Sequence, residues 1–219
     1  MWWSLDLAET DKRMNSEIHS QTDYADQAFK SANLRQAEIA SSEFHGCTFT
    51  QCSFVESVFS RCRFVDCTFQ QCDLSLVQVP DSVFSNTRFE DSKIVGVNWA
   101  QAAWSAPKLG QPVGFYRSTI NHCTFIGLNL RGMEVKECVA KDVDFREADL
   151  SKADFAGTDL SESLFINTNL SEADLSGARN YQIAPGQNEL KGAKFSLPEA
   201  MSLLYSLDIV LVEEGDVEP

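Results

Sequence analysis

Residues 143–177 divide without remainder into fives: VDFRE, ADLSK, ADFAG, TDLSE, SLFIN, TNLSE and ADLSG. Each five centres on Phe or Leu (Phe145, Leu150, Phe155, Leu160, Phe165, Leu170, Leu175), a small or β-branched residue stands two places earlier, and most other positions are polar. A helix buries positions i, i+3 and i+4 and a half-buried strand alternates, so a pure period of five fits neither over any length. It fits a coil whose sides are one pentad long, stacked so that each coil covers the apolar centre of the next. The period therefore predicts an all-β solenoid.

The pattern of small residue, Asp or Asn, Leu or Phe, then two polar residues resembles the pentapeptide-repeat family. That resemblance implies a right-handed quadrilateral parallel β-helix with twenty residues per coil. The fives begin earlier, at Phe29, and run through Leu34, Ile39, Phe44 and onward to Trp99 and Trp104. Folded by twenty, Phe29, Phe49, Phe69 and Phe89 share one column, and Phe44, Phe64, Phe84 and Trp104 share another. Thirteen of the fifteen Phe residues fall on centres of the two regular arrays, which marks them as core and not as a cofactor box. Seven coils are expected, making a pillar of roughly 35 Å.

Three interruptions are legible, one of them over 180–189, where Pro185 and Gly186 signal a turn before the period returns at Leu190 and Phe195. Centres fall on numbers ending in 4 or 9 through Trp104 and on 5 or 0 from Phe115 or Ile120, so the segment between carries one residue beyond whole pentads. Residues 105–114, with two Pro and two Gly, read as a loop ejected from the coil, either a contact loop on a rigid scaffold or a plain insertion. After Phe195 the period ends. Ser196 and Glu199 have the spacing of a capping box with Pro198 in the first turn, which predicts a short helix to about Ser206, then a strand over 207–212 and an acidic tail. The domain reading is an N-terminal arm over 1–24, coils over 25–104, the loop, coils over 115–195, and a cap over 196–219. A solenoid end exposes core and strand edge, so the cap either lids one chain or pairs two. Its surplus apolar residues favour a homodimer through Met201, Leu204, Tyr205, Leu207, Ile209 and Leu211.

The net charge of −14 argues against nucleic acid or an anionic membrane as partner and suits a basic protein, although it also serves solubility. The short apolar run at the start, followed at once by Asp6, Glu9 and Asp11, reads as neither a signal peptide nor a membrane span. All seven Cys (Cys47, Cys52, Cys62, Cys67, Cys72, Cys123, Cys138) fill the small inward slot, so they read as core thiols in a reducing cytoplasm, without metal spacing. No phosphate loop, nucleophile elbow or zinc motif appears, His19, His45 and His122 occupy unrelated positions, and exposed repeat carboxylates lack the enclosure that separates acid from base. No enzyme, cofactor or metal is expected.

Charge is asymmetric: residues 134–219 hold 18 acidic and 7 basic residues, net −11, against −3 for residues 1–133. Asp144, Asp149, Asp154, Asp159 and Asp174 precede their centres, and Asp142, Glu147, Glu162 and Glu172 follow theirs by two. Twenty-residue spacing stacks Asp154 under Asp174 and Asp142 under Glu162, a repulsion of like charges that Lys152 beneath Glu172 relieves in part. Three further stretches, CDLSLVQVP over 72–80, VGVNW over 95–99 and FSLPEAMSLLYSLDIVL over 195–211, resemble pentapeptide-repeat topoisomerase-protection proteins of the Qnr, MfpA and McbG type, nearest to the albicidin-resistance members. That resemblance implies binding to DNA gyrase, and often topoisomerase IV, by an acidic DNA-shaped dimer that protects the enzyme from poisons. The nine carboxylates above would then face the enzyme, with Lys108, Leu109 and Gln111 of the loop as further contacts. The competing reading is a non-enzymatic regulatory or structural module for another protein partner.

Overall fold

The computed structural model describes residues 18–104, 113–207 and 209. Its strands are three residues long and pair in parallel at a step of twenty: Tyr24 opposes Phe44, Phe44 opposes Phe64, and Phe64 opposes Phe84. On the adjoining side Phe29, Phe49, Phe69 and Phe89 follow one another in the same way. Single bridges carry the register up the remaining sides, as in Asn33, Ser53, Asp73 and Lys93, or Asp149, Asn169 and Glu189. Twenty residues divided among four pentads give four sides, and the chain winds about eight turns of parallel β-solenoid. The column is one turn longer than expected. The bottom gains Tyr24, in the strand Asp23–Ala25, while at the top the strand Lys194–Phe195, within the coils read over 115–195, pairs with Asp174–Leu175. Tyr24 thus belongs to the column and not to an irregular arm. A polar neighbourhood and a missing inward Leu or Phe hide its phase in the sequence.

In the regular stretch three backbone hydrogen bonds per pentad hold coil to coil, one of them from the centre itself, as from Leu150 N–H to the Asn169 carbonyl at 2.8 Å. A corner N–H donates upward to the carbonyl nineteen residues on (Asp26 to His45, 2.8 Å), and a side N–H donates downward to the carbonyl twenty-one residues back (Thr48 to Gln27, 2.8 Å). To turn between sides, the second residue after each centre adopts the left-handed region, with φ between 47° and 61° at 24 non-glycine positions. Those residues are Asp, Asn, Gln, Glu, Ser, Lys, Arg, His and one Leu, and none is β-branched, because a branched Cβ clashes most severely there. The five-residue period is therefore a turn requirement as much as a burial pattern.

Inside, rings stack along the axis. Centroids in Tyr24, Phe44, Phe64 and Phe84 are 5.0, 4.8 and 5.0 Å apart, and in Phe29, Phe49, Phe69, Phe89 and Phe115 they are 5.0, 4.4, 4.9 and 5.2 Å apart. Trp99, Phe125, Phe145 and Phe165 form a third ladder. Trp104 leaves the column its spacing assigned. Its indole N–H donates to the Trp99 carbonyl at 2.7 Å and its ring leans on Trp99. The small slots hold free, buried Cys together with Ser and Thr. Their thiols and hydroxyls donate to a centre carbonyl of the coil below, as from Cys62 to Ile39 (3.3 Å) and from Ser82 to Phe59 (2.8 Å). Burial pushes the Cys123 and Cys138 thiols up to about 12, which leaves them protonated and unreactive at neutral pH.

The insertion appears as a single step of twenty-six: Arg88 opposes Gly114, Lys93 opposes Thr119 and Asn98 opposes Thr124. Val113 is fully buried and Gly114 already lies in the strand Gly114–Tyr116, so the excursion returns two residues earlier than the 105–114 reading. A Cβ at 114 would sit 2.8 Å from the Tyr116 hydroxyl oxygen folded over it, so any other residue there must push the Tyr116 ring aside. At the top, the expected capping box is replaced by a different job. Ser196 Oγ accepts from Gly177 N–H at 3.1 Å and the Glu199 carboxylate accepts from Asn180 N–H. One coil lower, backbone carbonyls fill those positions for Gly157 and Leu160. The cap side chains thus finish the ladder where the backbone has left it. The helix is short, a 3₁₀ turn Glu199–Met201 followed by Ser202–Tyr205, and most of the strand expected over 207–212 lies outside the described residues.

Truncating Phe69, which is fully buried between two stacked rings, should cost about 3–5 kcal/mol in chemical denaturation. Arg61→Val at a left-handed exposed corner should cost about 1–2 kcal/mol, while Arg61→Gly should be near neutral.

Candidate functional site

The coils place the predicted carboxylates by rule. Consecutive centres occupy consecutive sides, so Asp144, Asp149, Asp154 and Asp159 stand on four different sides. Only Asp154 and Asp174 share one, directly opposed. Asp142, Glu147, Glu162 and Glu172 occupy left-handed corners. The arrangement is a belt around the upper column.

Each Asp before a centre also has a local task. The Oδ1 atoms of Asp144, Asp149, Asp154, Asp159 and Asp174 accept from the backbone N–H two residues on, at 2.9–3.1 Å, which fixes the approach to the corner. Cations, most of them from neighbouring coils, then pair with most of the belt. Lys136 bridges Glu134 (2.6 Å) and Asp154 (2.9 Å), and Lys194 reaches Asp174 (3.1 Å). Lys141 meets Glu162, Lys152 meets Glu172, Arg179 meets Asp159, Arg146 meets Asp144, and His122 contacts Asp142. Asp149 accepts from Asn169 at 3.1 Å, and Glu147 stands exposed. The expected stacking of Asp154 beneath Asp174 is present, and lysines at both ends of the column offset its repulsion.

These contacts shift the acids. The Arg146 hydrogen bond holds the Asp144 carboxyl below the usual carboxylate range, and Ser176 and Lys194 do the same for Asp174. Burial opposes ionisation of Asp159, but Asn180, Ser161 and Arg179 outweigh it and its carboxyl also lies low. Charge within the coils is modest. Residues 134–195 carry 12 acidic and 7 basic residues, and the other six acids lie in residues 199–218, mostly outside the described residues.

Beside the insertion a second polar group forms. Tyr116 donates its hydroxyl to Glu134 and lies under the Arg88 guanidinium, 4.1 Å from ring centroid to Cζ. Burial, with Glu134 beside it, pushes the Tyr116 hydroxyl up to about 12. This group buttresses the root of the excursion, while Lys108, Leu109 and Gln111 lie outside the described residues.

At the cap, Met201, Tyr205, Leu207 and Ile209 are exposed, Leu204 is half-buried, and Leu203 packs against the core. Leu211 lies outside the described residues. Sequence reasoning missed Leu164 and Ile166, exposed apolar residues on either side of Phe165. The signal was the pentad SLFIN, which in the regular stretch alone carries large apolar residues at both outward positions of a side. Among the described residues no cluster of His, Cys, Asp and Glu converges as a metal site, and no helix is long and apolar enough to cross a membrane.

No curated protein matches the chain. Among solved structures, the plasmid-mediated fluoroquinolone resistance protein QnrB1 aligns over 90% of this chain and 94% of its own, with TM-score 0.50 and 16% identity. HetL, a pentapeptide repeat protein involved in heterocyst differentiation regulation from the cyanobacterium Nostoc, aligns over 80% of this chain and 85% of its own, with TM-score 0.51 and 13% identity. At such identities these likenesses speak for the fold alone.

Depressed carboxyl values stabilise the fold above their unfolded pKa near 4, and that contribution is lost as pH falls through the folded values. The melting temperature should therefore drop between about pH 4 and pH 2, and Asp159→Asn should flatten that acid limb in a thermal scan.

The family's profile, described as pentapeptide repeat region, matches residues 42–112 and 108–175, and with the solenoid geometry this establishes that the chain belongs to the pentapeptide-repeat family.

Proposed function

We propose that this protein acts without catalysis, binding DNA gyrase, and topoisomerase IV as a second target, as a rod-shaped acidic dimer that protects the enzyme from poisons of the fluoroquinolone or albicidin type. The observation that carries the reading is the belt of carboxylates encircling the upper coils, joined in sequence to a cap and tail holding six more acids. A duplex presents charge around its whole circumference, so a belt suits a duplex-binding surface better than a patch on one side would. Positive potential on the enzyme would speed association and make it salt-sensitive. The exposed Met201, Tyr205, Leu207 and Ile209 support pairing of two copies end to end, with Leu204 and Leu211 completing the contact. Lys108, Leu109 and Gln111 are proposed contacts beside the belt. The setting would be the cytoplasm, where gyrase works.

In a gyrase supercoiling assay poisoned by a fluoroquinolone or albicidin, added protein should restore supercoiled product at low salt and less so at high salt. Failure to rescue at any protein concentration removes the reading. Reversal of both Asp154 and Asp174 to Lys should weaken protection about tenfold, while reversal of Asp66 in the lower coils should leave it unchanged. Sedimentation equilibrium should show dimers that Tyr205→Asp with Leu207→Asp converts to monomers.

The ion pairing of most of the belt favours a second reading, an interaction module for a different protein partner, in which the carboxylates serve the column and its solubility. A partner that binds undiminished after the Asp154 and Asp174 reversals would support it.

A further inference from the structure

Four of the seven cysteines stand directly over one another in the lower coils, Cys67 above Cys47 and Cys72 above Cys52. The Cys47 sulfur meets the carbonyls of Tyr24 and His45, 23 and 2 residues back, and the Cys67 sulfur meets those of Phe44 and Val65 at the same spacings. Cys52 and Cys72 repeat the pattern. The members of a pair are therefore related by one coil step, which sets their sulfurs about 4.8 Å apart. The paired thiols interact directly: the neighbour above lowers Cys47 and Cys52 from the ordinary thiol value, and the neighbour below raises Cys67 and Cys72. The other three have no such neighbour, since Cys62 stands between serines, Cys123 between valines, and Cys138 between Ser118 and Thr158. A tetrahedral or octahedral ion needs at least three converging side chains and finds none among the described residues. A soft ion of linear geometry needs only two thiolates in line. Two metal–thiolate bonds of about 2.3 Å, end to end, span about 4.6 Å, close to the coil step. Charge selects among such ions: around a monovalent ion two thiolates leave a negative charge among stacked Phe rings, and around a divalent ion they leave none.

We propose that each stacked pair, Cys47 with Cys67 and Cys52 with Cys72, is a binding site for one soft divalent cation of linear geometry, of which mercuric ion is the type. Both thiols release their protons to water, two sulfur–metal bonds form, and the neutral complex staples one coil to the next. All four side chains are buried, so the ion enters as the lower coils open locally and is then held away from thiols in solution. The pairs lie below the carboxylate belt and do not depend on the topoisomerase reading.

Mercuric chloride tests it. After long incubation with the full reduced chain and dialysis against a small excess of glutathione, which strips ions held by a single thiol, elemental analysis should find two mercury ions per chain. X-ray absorption should place two sulfurs about 2.3 Å from each ion. Cys47→Ser and Cys52→Ser should each remove one ion, while Cys62→Ser should leave both. Serine fills the same slot at Ser82 and Ser92, so these variants keep the fold, which circular dichroism checks. Silver ion should be retained at least about tenfold less tightly, because its complex carries a charge into the core. Mercury not retained, one sulfur per ion, or loss of an ion with Cys62→Ser overturns the proposal. Silver held as tightly as mercury, or both ions kept by Cys47→Ser, overturns it as well.

Discussion

Coil-to-coil backbone hydrogen bonding at a step of twenty is the constraint to which the rest of this structure answers. Each corner donates up and each side donates down, so any residue is fixed in height and azimuth by its number. Ring stacks follow because the same register sets Phe over Phe at about 5 Å. Ion pairs follow because it sets Lys136 between Glu134 and Asp154. Even the cap obeys it, as Ser196 and Glu199 stand nineteen residues above the N–H groups they satisfy.

This explains why so much was legible in the sequence. With height and azimuth both encoded in position number, the parallel register, the aromatic columns and the stacking of Asp154 beneath Asp174 could be computed by counting. What counting did not reveal was the consequence of azimuth for grouping. Residues five apart in sequence are neighbours on paper but stand on different sides of a square, which is why Asp144, Asp149, Asp154 and Asp159 form a belt. Nor does counting reveal which corner cation reaches which carboxylate, since that depends on side-chain length and direction.

Both ends were misread for a common reason. Where the period fades, local rules take over, and at Ser196 and Glu199 the local rule for a helix start competed with the demand of an open ladder for acceptors. The ladder won, because its open N–H groups on Gly177 and Asn180 lie directly below the cap side chains and have no further coil to supply carbonyls. Tyr24 was lost in the opposite way: a ring at a centre, but with no regular pentads beneath it to declare the phase. Leu164 and Ile166 were visible as departures from the polar rule, and a departure repeated at both outward positions of one pentad carries more information than the regular pentads around it.

The twenty-six-residue step has a bearing on how such a chain could change. Columns below it continue into columns above it without rotation, since Arg88, Gly114 and Glu134 fall in one line. The excursion therefore stores no phase. Its length is free to drift between descendants while every charge and ring on the columns keeps its address.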